Sequence, residues 1–200
     1  MGLIKINDRI CYIEASDDPL CADIGVVRAE NGVWLYDVGN GEKNVAGLTG
    51  SYNIVLSHFH RDHTGNLDKL RADALYVSGE TFAHVNRGTV VESSVSIGSM
   101  RIFPIPSSHT KGCLGLEADE EYAFVGDALY SKVRDGFYVY NAQLLQAEIE
   151  VLKALKAPYL LVSHFRGLVR DRKAVLEELG EIYAARDKNS SEIRVRIENG

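Results

Sequence analysis

Along the first third of the chain, apolar and β-branched residues come in short runs cut by turn formers, the pattern of strands rather than helices. Ile10–Glu14, Ile24–Ala29 and Val33–Asp37 are such runs, with Glu30-Asn31-Gly32 as the turn between the last two. The uninterrupted Ile54-Val55-Leu56 within Asn53–Ser57 predicts a strand covered on both faces. Thr64-Gly65-Asn66 predicts the cap of a helix running to about Arg71, followed by a strand at Leu75-Tyr76-Val77 and a short helix from Glu80 to about Asn86. Val95–Ile97, Met100–Ile105, Cys113–Glu117 and Tyr122–Val125 read as further strands. Leu144, Leu145, Ile149, Leu152 and Leu155 recur at helical spacing, so Ala142–Leu155 is an amphipathic helix that Pro158 ends. Tyr159–Val162 is then a buried strand, about Arg172–Ala185 a second amphipathic helix, and Ile193–Ile197 a half-exposed strand in which Arg194 and Arg196 alternate with apolar residues. Each half passes from strands into helices. That order predicts an α/β sandwich, two sheets with helices outside.

Composition narrows the picture only a little. No linker or repeat divides the 200 residues, so 1–200 reads as a single domain. The net charge of −6 leaves no broad basic footprint, and a nucleic-acid partner is not expected. No apolar run reaches membrane-spanning length and the first ten residues lack a signal core, so a cytoplasmic location and no membrane partner are expected. Cys11, Cys21 and Cys113 are too few for a disulfide framework or a cysteine-type zinc cluster, and read as small buried hydrophobes. Composition leaves the oligomeric state open.

Histidine placement changes the picture much more. Three of the six histidines fall in His58-Phe59-His60-Arg61-Asp62-His63. At this composition H-x-H-x-D-H would arise by chance about 3 times in 10,000. It follows a buried strand, where α/β folds gather ligand groups. His58 and His60 are two apart, so an extended backbone aims both imidazoles the same way, while Asp62 and His63 can reach a second point. Imidazole with carboxylate suits zinc, and iron or manganese are compatible. His109, Asp127 and His164 each follow a strand, and all could converge on one edge of the sandwich. His84, on a short helix away from any strand exit, is read as non-catalytic.

With these residues in place the chain resembles the metallo-β-lactamase fold superfamily, over about Ile10 to His164. His58–His63 matches its H-x-H-x-D-H signature and Phe124-Val125-Gly126-Asp127-Ala128-Leu129-Tyr130 its F-x-G-D-T-L-F segment. Ser108-His109-Thr110-Lys111-Gly112 resembles its G-H-T-P-G, and Asp37-Val38-Gly39 its early acid–glycine turn. Ser163-His164-Phe165-Arg166-Gly167 stands where the family has G-H-G. The resemblance implies a four-layer αββα sandwich and two divalent metal ions, zinc first. His58, His60 and His109 would hold one ion and Asp62, His63 and His164 the other, with Asp127 bridging them. Asp62 would also be the catalytic proton carrier, and Asp37 would orient a ligand histidine from behind.

The activity so implied is a dinuclear zinc-dependent hydrolase of a small ester, thioester, lactone or phosphodiester, acting through a metal-bound hydroxide. Alternatives within the resemblance are an iron-dependent oxidoreductase like the persulfide dioxygenases, and a non-catalytic metal-binding protein. Lys111, Arg166 and Lys132 each follow a ligand segment, and with Tyr138 they are the expected contacts to a small, anionic substrate. Tyr138 and Tyr140 are expected on a loop over the site.

Overall fold

The computed structural model describes residues 2–197. The amino-terminal elements are β1 (Ile4–Lys5), β2 (Ile10–Ile13), β3 (Ser16–Asp17), β4 (Leu20–Cys21), β5 (Ile24–Ala29) and β6 (Gly32–Tyr36). Next come α1 (Glu42–Val45), β7 (Ser51–Val55), α2 (Arg61–Thr64), β8 (Arg71–Val77), α3 (Gly79–Val85) and β9 (Thr89–Val90). A meander follows, of β10 (Val95–Ile97), β11 (Met100–Ile105), β12 (Cys113–Ala118) and β13 (Tyr122–Gly126). The carboxy-terminal part holds β14 (Lys132–Arg134), β15 (Phe137–Asn141), α4 (Ala142–Lys153), β16 (Tyr159–Val162), β17 (Val169–Asp171), α5 (Arg172–Ala184) and β18 (Glu192–Arg196).

Seven strands form the first sheet in the order β1-β2-β5-β6-β7-β8-β9, antiparallel as far as β6 and parallel beyond it. The second sheet runs β10-β11-β12-β13-β16-β17, with only β13 and β16 parallel. Between the sheets, Trp34, Tyr36 and Val55 meet Met100, Ile102, Leu114, Leu116 and Phe124 in one apolar layer. Emptying that layer of a ring such as Phe124 would cost about 3–5 kcal/mol. Val45 and Leu67 cover the back of the first sheet on Ile24, Leu35 and Ile54. On the back of the second, Leu145, Ile149 and Leu152 of α4 and Val175 and Leu179 of α5 lie on Phe103, Ala123 and Leu160. The result is the αββα sandwich that the apolar pattern predicts. β7, with both faces buried, explains the unbroken Ile54-Val55-Leu56 run.

Several segments differ from expectation, three of them near the residues singled out above. In place of a helix from Thr64 to Arg71, the histidine motif itself coils into α2, a 3₁₀ turn covers Leu67–Lys69, and β8 already starts at Arg71. Asn66 does not cap; its side-chain amide donates to the carbonyls of Val38 and Gly41. The segment carrying Tyr138 and Tyr140 is not a loop but strand β15, which pairs with β14 and β18 in a separate three-stranded sheet. β17 is also unforeseen, a short strand added at the edge of the second sheet beside β16. Among the described residues no helix is long and apolar enough to cross a membrane. All three cysteines are free and buried.

Candidate metal centre

Four turns at one edge of the sandwich bring the titratable groups together. The first leaves β7, where Leu56 N–H still bonds to Tyr76 O and the chain then turns into α2 at His60. Backbone bonds fasten this turn, from Val38 N–H to His63 O at 2.9 Å and from Ala22 N–H to Asp62 O at 3.0 Å. Beneath it lies Asp37, a non-glycine residue held at φ 61°. Its carboxylate accepts from Ser57 N–H at 2.7 Å and faces His63 Nδ1 at 2.7 Å, both side chains fully buried. Ser57 Oγ lies 2.9 Å from His58 Nδ1 and 3.2 Å from His63 Nδ1. With their Nδ1 atoms so engaged, His58 and His63 turn Nε2 toward the opening.

The other three turns supply the opposite side. His109 follows β11, its backbone N–H bonded to Ser107 Oγ, which donates in turn to Ala128 O on the Asp127 turn. Asp127 follows β13, where the register against β16 shifts between Phe124 and Gly126 and redirects the chain. Gly126 sits at φ 55°, and a Cβ there would come within 2.8 Å of Ser57 Cβ, so this approach to the first turn requires glycine. His164 follows β16 in the left-handed region, at φ 59°. Its backbone N–H bonds at 2.9 Å to the buried carboxylate of Asp23, which also accepts from Ala15 N–H at 3.1 Å.

Two groups of donors result: His58, His60 and His109, and Asp62, His63, Asp127 and His164, each set with atoms within 4.8 Å of one another. His60 Nδ1 and His109 Nε2 face each other at 3.1 Å. His164 Nε2 lies 3.1 Å from Asp62 Oδ2. A single oxygen, Asp127 Oδ2, stands 3.4 Å from His63 Nε2 and 3.5 Å from His109 Nε2, one atom in each group. His58 Nε2, His63 Nε2 and Asp127 Oδ1 are buried without any hydrogen-bond partner among the described residues. An unpaired buried acceptor is costly. Such atoms in each donor group, His58 Nε2 in the first and His63 Nε2 and Asp127 Oδ1 in the second, fit a cation, and the set of imidazoles and carboxylates fits zinc chemistry.

The electrostatics agree with that fit in the first group, whereas in the second they favour protons on His63 and His164 that an ion would have to displace. Burial, reinforced by the neighbouring histidines, pushes His58 far below the usual imidazole range, and burial also lowers His60 and His109. The first group is therefore three neutral imidazoles. At His63 burial again disfavours charge, but Asp37 and Asp127 outweigh it and the ring holds its proton strongly. His164 is raised by its bond to Asp62. Burial works against ionisation of Asp62, yet the bond from His164 and the charge of His63 bring it below the ordinary carboxylate value.

Other residues singled out in the sequence fall elsewhere. His84 lies outside both groups, its exposed ring stacked on Phe59 with centroids 3.9 Å apart. Lys111 lines a cleft next to the His109 loop, with Lys132 across from it. Tyr138 does not line that cleft: on β15 it pairs with Val133 and is half exposed, while its neighbours Val139 and Tyr140 do face the cleft. Arg166 is exposed on the turn after His164, also outside that cleft. Tyr138 and Tyr140 share a face of strand β15, and exposure falls along it from 43% at Tyr138 to 9% at Tyr140. Sequence reasoning missed Asp23, Ser57 and Ser107. Their partners are set by tertiary contact, and no local motif announces them.

No family model and no curated protein matches the sequence. Solved structures do resemble the fold over nearly its full length. A B3 metallo-β-lactamase with an active-site glutamic acid superposes with a TM-score of 0.68 at 15% identity, covering 93% of this chain and 90% of the other. A metallo-β-lactamase superfamily protein of the archaeon Sulfolobus tokodaii gives 0.60 at 18% identity, with 96% and 91% covered. A metallo-β-lactamase from Hirschia baltica gives 0.64 at 12% identity, with 91% and 97% covered. The chain has the metallo-β-lactamase fold, and its His/Asp cluster lies at the edge where four strand exits meet.

Proposed function

We propose that this chain is a dinuclear zinc-dependent hydrolase of a small ester, thioester, lactone or phosphodiester. The observation that carries the reading is Asp127, whose Oδ2 stands within 3.5 Å of one nitrogen from each donor group. His58, His60 and His109 would hold one ion, Asp62, His63 and His164 the other, and Asp127 both. Two divalent ions in such a site supply Lewis acidity toward a carbonyl or phosphoryl oxygen and a water that is nucleophilic at neutral pH. Fold likeness at these identities supports only the scaffold, and the activity rests on the donor set.

The chain's own groups then have definite tasks. Asp37 fixes the proton of His63 on Nδ1 and keeps Nε2 free as a donor, as a carboxylate behind a ligand imidazole does. Asp62 is ionised at neutral pH and partly open to solvent, with its side chain 16% exposed. As water adds to the scissile group, Asp62 Oδ2 accepts its proton and returns it to the departing oxygen or sulfur. Ser57 holds two imidazoles within its own turn and Ser107 ties the His109 loop to the Asp127 turn, so these donors are aligned before substrate arrives.

The test is a panel of esters, thioesters, lactones and phosphodiesters run on zinc-loaded protein, with Asp62→Asn beside the parent. Turnover of at least one class, abolished by a chelator and reduced about 100-fold or more in Asp62→Asn, is expected. A metal-loaded parent inert toward all four classes, or an Asp62→Asn variant as active as the parent, would contradict the reading.

A further inference from the structure

Next to the His109 loop lies a cleft of about 630 Å³, inside the range of roughly 300–1,000 Å³ typical for small ligands. Ser108 and Thr110, the chain neighbours of His109, are on its lining, so the cleft opens from the ligand loop itself. Val133 and Val139 of the β14–β15 hairpin and Leu144 of α4 give it an apolar surface. Val133 is 66% exposed, unusual for an aliphatic side chain on a paired strand. Cations stand on both banks, Lys111 on the loop and Lys132 on β14.

The charge on this lining is not spent internally. Arg134, also on it, is paired with Glu192. Neither Lys111 nor Lys132 has an ion-pair partner among the described residues. Glu80 is the remaining acid on the lining, so the two lysines leave it with an excess of one positive charge within a chain of net charge −6. The hairpin wall is preset, because β15 is held along its whole length by β18. A preset wall lowers the ordering cost of binding.

We infer that this cleft binds the far end of the substrate, and that this end is an apolar body carrying a carboxylate or phosphate. The body lies on Val133, Val139 and Leu144, and the anion is held by Lys132 and Lys111 rather than by Arg166, which is exposed outside the cleft. Apolar contact contributes about 25 cal/mol per Å² covered, and each partly exposed ion pair adds up to about 1 kcal/mol. Neither alone gives useful affinity, so the cleft selects molecules that have both. That the bound molecule is a substrate rests on the hydrolase reading; the cleft's affinity for an amphiphilic anion does not.

The experiment titrates 2-naphthoate, 2-naphthylphosphonate and neutral 2-acetylnaphthalene into the protein as isolated. Ligand fluorescence gives the affinity, and methyl NMR of Val133, Val139 and Leu144 gives the place. Expected is binding of at least one anion about tenfold tighter than the neutral compound, with shifts at those three methyl groups. Lys132→Met with Lys111→Met should remove that tenfold advantage and leave the neutral compound unchanged, while Arg166→Met changes neither. The better-bound anion identifies carboxylate or phosphate as the natural group. Equal binding of all three compounds, an anion affinity untouched by the double lysine variant, or shifts centred elsewhere would overturn the inference. Metal analysis of the same samples separates the two readings. Full metal without cleft binding removes the cleft alone, and cleft binding without metal removes the hydrolase alone.

Discussion

Glu148 is the one carboxyl group buried far from the candidate metal centre with neither oxygen hydrogen-bonded among the described residues. It lies on α4 with 0% exposure, on the face that carries Leu145, Ile149 and Leu152 into the core. Burial alone holds its carboxyl well above the usual value of 4.5. Its folded pKa is raised, so its contribution is complete below pH 4.5 and is lost as pH rises toward the folded value. Over that window the unfolded chain ionises and the folded one does not. Each pH unit therefore costs the fold about 1.4 kcal/mol. Glu148→Leu has similar bulk, titrates nowhere, and removes an unpaired polar group that itself costs about 1–3 kcal/mol. The variant should be the more stable protein at every pH, and its advantage should widen as pH rises above 4.5, by up to about 1.4 kcal/mol per unit until the folded value is reached. Urea unfolding of parent and variant side by side, at constant metal, measures the difference, and titrations common to both cancel. A gap that stays constant or narrows with pH, or a variant less stable at pH 8, would refute the reasoning.

Two further outcomes follow from the groups behind the donors. Asp37→Asn takes the charge from behind His63 and should weaken metal binding about 10- to 100-fold, read by competition with a chromophoric chelator; unchanged affinity would make Asp37 a turn residue only. Asp23→Ala removes the bond that holds His164 at φ 59° and should deplete metal from the Asp62, His63 and His164 group before the other, with Asp23→Asn, which keeps an acceptor oxygen, falling between. Equal metal content in all three proteins would show that His164 holds its place without Asp23.

The elements that the apolar pattern delivered well are those whose burial is two-sided or strictly periodic. β5, β10, β11 and β16 match their expected bounds, and α4 and α5 differ only at their carboxy-terminal ends, where the last residues unwind. β14, β15 and β18 form a sheet of their own at the edge, and the exposed Lys132-Val133-Arg134 carries too little apolar signal to announce a strand. Glu148 hides for the opposite reason, since Leu145 and Ile149 dominate the same helical stripe. The seven candidate donors were legible because histidine and aspartate at strand exits have few other uses in this number. Asp23 was not, because its bond to His164 spans 141 residues and leaves no local trace. Tyr138 was read on a loop because the apolar pattern announced no strand over Phe137–Asn141, along which exposure falls from Tyr138 to Tyr140.

The central claim, that the His/Asp cluster is a two-metal centre, is met most directly by elemental analysis of protein never exposed to a chelator, paired with Asp127→Ala. Close to two equivalents of zinc per chain in the parent, falling to about one in Asp127→Ala with the fold intact by circular dichroism, is the expected result. A folded parent holding no more than a trace of any divalent metal, even after incubation with excess zinc, would contradict it.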